Sequence, residues 1–121
     1  MSRVVHFEIP AENPERAAKF YREVFDWKIE KWQGPFNYWL VTTGEDKEPG
    51  INGAIMEKGN FKTTVNTVDV SSVDEFLKKI VAAGGTVVMP KGAVPSQGYL
   101  AYCADTEGNV FGVFQRAPSA K

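Results

Sequence analysis

The chain predicts an α+β fold built from two tandem β-α-β-β-β modules, and three observations carry that prediction. Two amphipathic helical stripes are each preceded by one strand-like run and followed by three more. Each stripe opens on a capping residue, Asn13 and Ser72, and these lie 59 positions apart. Gly53 and Gly112 interrupt the last strand of each half at the same spacing of 59.

The first strand comes from "HFEIP", where Val5, Phe7 and Ile9 alternate with Val4, His6 and Glu8. In "NPERAAKFYREVF", Asn13 caps and Pro14 takes the first helical position, where its missing N–H costs nothing. Ala17, Phe20, Tyr21, Val24 and Phe25 then repeat with helical spacing and predict the buried stripe. "DWKIEKW", "NYWLVTT" and "INGAIME" predict three strands, completing module one at about residue 60. Module two, about 61–117, starts with "TTVNTVDV". Ser72 and Glu75 form a capping box, Val73, Phe76, Leu77, Ile80 and Val81 form the stripe, and Gly84–Gly85 ends the helix. "TVVMP", "GYLAYCA" and "NVFGVFQ" supply its last strands, and "RAPSAK" is expected to be loose.

Bulk composition narrows the function. A length of 121 residues with 43% hydrophobic content suits one domain. The net charge of −1, with 14 scattered Lys and Arg, offers no footprint for nucleic acid or an anionic membrane. No run approaches the roughly 20 apolar residues of a membrane helix, and the opening residues do not read as a signal peptide. A single cysteine, Cys103, excludes an internal disulfide and a cysteine-based zinc cage, so the expected setting is cytoplasmic.

The quoted runs "HFEIPAENPERAAKFYREVFDW", "VDVSSVDEFLKKIVAAGGTVV" and "DTEGNVFGVFQ" together resemble the vicinal oxygen chelate superfamily, which includes glyoxalase I, bleomycin resistance proteins and extradiol dioxygenases. The resemblance covers nearly the whole chain. It implies curled sheets forming a cup for a small organic ligand, commonly within a homodimer, and a fold alone does not assign the reaction.

Enzymes of that superfamily hold a divalent metal with up to four side chains, on the first and last strands of each module. Carried over residue by residue, the first-strand positions fall on His6, 14 residues before Phe20, and on Val65. The last-strand positions fall on Gly53 and Gly112. A zinc or iron site needs three or four converging donors, and only His6 can give one. No metal and no other cofactor is therefore expected.

His6 and Glu8 share a strand face and are the candidate acid–base pair, with the carboxylate able to orient the imidazole. A histidine hydrogen-bonded in a barrel mouth and a solvated glutamate are the plainer alternatives. Trp39, Gly53, Val65, Thr67, Tyr99 and Gly112 are the candidate ligand-binding residues, within a larger aromatic set that includes Trp27, Trp32, Phe36, Tyr38 and Tyr102. Cys103 lies in apolar company and is expected to be inert. The expected function is metal-free binding of a small molecule. The alternative is a lyase or isomerase that uses His6 as acid or base, with or without a divalent metal.

Overall fold

A computed structural model describes residues 2–121. Among the described residues the chain parts into two compact units, residues 6–65 and residues 2–5 with 66–121. Both units carry one helix and a mixed sheet, which makes the fold α+β.

Module one runs β1 (Val4–Ala11), α1 (Pro14–Phe25), β2 (Lys28–Lys31), β3 (Tyr38–Thr42) and β4 (Asn52–Glu57). Its strand order is β2-β3-β4-β1, with β1 parallel to β4 and the other pairs antiparallel. The Asn13 side chain accepts from Arg16 N at 3.1 Å and starts α1. Asp26, at φ 60°, ends it through its N–H to Arg22 O.

On the helix side of this sheet Ala18, Ile29, Trp39, Val41 and Ile55 form a buried cluster, with Phe7, Ile9, Ala17 and Tyr21 packed against it. The expected helical stripe is corrected by about one position. Phe20, Val24 and Phe25 are each more than half exposed, whereas Pro14 and Ala18 are buried. α1 approaches its sheet through small side chains at one end and lays its aromatics along the flank. There Tyr21 stacks on Trp27 with centroids 5.1 Å apart.

Module two runs β5 (Val65–Asp69), α2 (Val73–Ala82), β6 (Thr86–Val94), β7 (Gly98–Ala104) and β8 (Val110–Arg116). The order is β5-β8-β7-β6, with β5 parallel to β8. Ser72 Oγ accepts from Glu75 N at 3.2 Å, and Gly84, at φ +100°, follows the helix as expected. Val70, Val73, Ala101 and Val113 are buried together, and Phe76, Leu77 and Ile80 of α2 pack on them. Val81 instead faces outward, 56% exposed.

The C-terminal tail is not loose. Ser96 N donates to Ala120 O at 2.9 Å, Ala117 N donates to Gln97 O at 3.0 Å, and Ala120 is buried. No helix among the described residues is long and apolar enough to cross a membrane.

Candidate functional site

Register decides which side of each sheet a residue takes. In a parallel pair, directly opposed residues point the same way, so Glu8 opposite Ala54 and His6 opposite Asn52 share one face. β3 adds Tyr38 and Leu40 to that face, opposite Met56 and Ala54. This is the far side of module one's sheet, away from α1.

Three polar side chains meet there. Tyr38 Oη donates to Glu8 Oε2 at 2.7 Å, and His6 Nε2 lies 2.8 Å from the same phenol oxygen. A phenol has one proton. With that proton on the Glu8 bond, the oxygen accepts from His6 Nε2–H, which leaves the lone pair on Nδ1. Tyr38 stands two strands from β1, about 10 Å across the sheet, so its ring must pass over β4. Ala54, the β4 residue opposite Glu8, is fully buried and has only a methyl group. The His6 and Tyr38 rings lie nearly parallel, 13° apart.

Burial lowers the His6 pKa below the ordinary 6.5, and the nearby Glu8 carboxylate partly offsets the fall. The imidazole is therefore neutral at pH 7, able to accept a hydrogen bond or a proton. Trp32 meets the Tyr38 ring edge-on at 5.9 Å, and Phe36 stacks on Trp32 at 6.0 Å, extending the relay into an aromatic platform.

Two of the expected pocket aromatics belong to the other side. Trp39 is buried in the helix-side core, with its indole N–H donating to Glu15 of α1. Tyr99 packs against the α2 cluster, with Lys91 over its ring at 4.6 Å. Both assignments are corrected: their one-residue neighbours Tyr38 and Leu100 take the far side. The signal was present in β3, because Trp39 and Val41 form the more apolar alternate set and so claim the core.

Gly53 is corrected too. It lies opposite Phe7 on the helix side, where a Cβ would sit 2.4 Å from the Phe7 carbonyl oxygen and 2.6 Å from its ring. The glycine lets β1 and β4 pass close together. Gly112 lies opposite Thr67 and Tyr102, on the far side of module two, where a Cβ would meet Thr67 Oγ1 at 3.0 Å. The counterpart of Gly112 is therefore Ala54: Glu8 faces Ala54 as Thr67 faces Gly112. The two glycines share a spacing and not a role. Thr67 and Val65 are both buried.

A divalent metal of the superfamily's kind does not fit these residues. Ala54 and Gly112, which oppose the first-strand side chains, supply no donor, Val65 supplies none, and His6 Nε2 is engaged by Tyr38. Among the described residues no three His, Cys, Asp or Glu side chains gather closely enough to hold an ion. Cys103 is buried and its thiol pKa is raised by burial, which suits packing rather than nucleophilic attack.

Residues 3–113 match the family model of the Glyoxalase/Bleomycin resistance protein/Dioxygenase superfamily. The chain belongs to that superfamily. Among solved structures, a variant of Streptomyces coelicolor methylmalonyl-CoA epimerase in complex with 2-nitronate-propionyl-CoA aligns with a TM-score of 0.74 at 12% identity, covering 100% of this chain and 99% of that one. The epimerase from Mycobacterium tuberculosis aligns at 0.70 and 12% identity, covering 95% and 88%. A hypothetical protein from Bacillus halodurans C-125 aligns at 0.70 and 9%, covering 99% and 98%. At these identities the likeness shows the fold alone. No curated protein matches the sequence.

Proposed function

We propose that this superfamily member binds a small organic molecule on the far side of module one's sheet without the metal centre of its relatives. One observation carries the reading: His6, the one superfamily ligand side chain retained, is tied through Tyr38 to Glu8. His6 Nδ1 offers an acceptor, and Trp32 and Phe36 offer an apolar platform, so the ligand has a flat or apolar body and a hydrogen-bond donor.

A thermal-shift screen tests this, because a compound that binds the native state raises the melting temperature. The panel holds planar aromatics, small organic acids and acyl-CoA thioesters, with methylmalonyl-CoA included because several of the solved neighbours are its epimerases. A hit that survives chelator, is recovered unchanged and weakens in Tyr38→Phe supports the reading. Binding that appears only with added divalent metal overturns it.

The depressed His6 pKa and its held tautomer favour a second reading, in which Nδ1 withdraws a proton from the bound molecule as the base of a lyase or isomerase. In that case His6→Ala retains binding and loses turnover. A homodimer is part of the same proposal. Its support is the exposed edge strand β6, where Val87, Val88 and Met89 are 39–47% exposed and pairing would cover the edge.

A further inference from the structure

The turn between β6 and β7 and the tail beyond β8 enclose a second feature, wholly within the compact unit that runs to residue 121 and sharing no residue with the His6 relay. It is a cleft of about 400 Å³ lined by Ser96, Gln97, Phe114, Arg116 and Pro118. Its walls are tied together: Ser96 N bonds to Ala120 O, Ala117 N bonds to Gln97 O, and Ala120 N bonds back to Ala117 O, at 2.9, 3.0 and 3.0 Å. Ser96 holds a left-handed backbone at φ 61°, uncommon for a residue with a side chain, and this bends the turn over the tail.

Phe114 is the apolar wall. Gly98 makes room for its ring, since a Cβ there would stand 2.7 Å from Phe114 Cζ and 2.1 Å from Gln115 O. Arg116 is the one charged residue of the lining, and its side chain makes no ion pair or hydrogen bond with any described residue. Its planar guanidinium has five donors to offer, in a fork that matches a carboxylate. Gln97 adds an amide beside it, and Pro118 closes the apolar side.

We infer that this cleft binds a small aromatic carboxylate, with the anionic end on Arg116 and Gln97 and the ring against Phe114 and Pro118. The volume lies within the range of small-ligand sites, and one cation on an apolar wall selects a single negative charge attached to a flat body.

Titration of the full chain with sodium benzoate, followed by amide NMR, tests the assignment. The expected result is saturable shifts at millimolar benzoate, centred on Gln97, Gly98, Phe114 and Arg116. Arg116→Met, an exposed position, should weaken binding about tenfold or more through loss of the charge-assisted bonds. His6→Ala should leave it unchanged, which keeps this test separate from that of the relay. The inference is overturned if benzoate shifts other residues or none, or if Arg116→Met binds as well as the wild type. It is overturned equally if benzyl alcohol or inorganic phosphate shifts the same amides as strongly, since the site would then read only the ring or only the charge.

Discussion

Module one and module two share their element order, cap their helices at equivalent positions and keep the same parallel pair, yet the far sides of their sheets differ in kind. In module one the first and last strands present His6, Glu8 and Ala54, and Tyr38 of β3 joins the two polar groups. In module two the corresponding positions are Val65, Thr67 and Gly112, with Leu100 and Tyr102 over the glycine. A repeated backbone fixes where side chains point. It does not fix what they are, and here the linked histidine, tyrosine and glutamate sit in the first repeat.

The sharpest way to break this comparison is at the glycines. Gly53→Ala forces a Cβ against the Phe7 backbone, which cannot rotate away, so the loss should reach about 3 kcal/mol, the upper end of overpacking penalties. Gly112→Ala meets the Thr67 hydroxyl at 3.0 Å, with Leu100 and Tyr102 in ordinary contact at 3.5 Å, and should cost about 1 kcal/mol, the lower end of those penalties. Denaturant midpoints of the two variants decide it. Equal losses would mean that the glycines are equivalent after all.

Next in size is Tyr38→Phe, which deletes the donor to Glu8 and the acceptor for His6 while keeping the ring. Removing both bonds at a part-buried site should cost about 1–2 kcal/mol by chemical denaturation. Tyr102→Phe gives the matching measurement in module two.

The smallest effect is in pH. The folded-state pKa of His6 lies below 6.5, so the unfolded chain binds more protons in the window below that value. The His6 contribution is complete above pH 6.5 and is lost as pH falls from there through the folded pKa. In His6→Gln that slope should vanish. In module two, Asp105 responds in stronger acid. Hydrogen bonds from the Asn109 backbone and side chain, then from the Glu107 N–H, hold the Asp105 carboxyl below its ordinary 3.8. Its contribution is present above 3.8 and is lost as pH falls through the folded value.

The sequence carried the architecture well because caps and periodicity are local. Asn13 with Pro14, and Ser72 with Glu75, marked both helix starts, and the eight strands followed from alternation and turn residues. Side assignment was harder. Trp39 and Tyr99 are large amphipathic rings that suit either side of a sheet, and only neighbouring parity places them. Gly53 and Gly112 have equal spacing without equal register, because the last strands are offset by one residue relative to the first. Tyr38 was counted among the aromatics but not joined to His6, since a contact spanning 32 positions has no local signature. The packed tail was missed for the same reason: its bonds run to the β6–β7 turn.

The relay itself is best tested by long-range 1H–15N NMR of the His6 ring near neutral pH, without and then with one equivalent of zinc. A neutral imidazole protonated on Nε2, with both nitrogen shifts unmoved by the metal, is the predicted result. A ring protonated on Nδ1, or an Nε2 signal displaced by stoichiometric zinc, would contradict it.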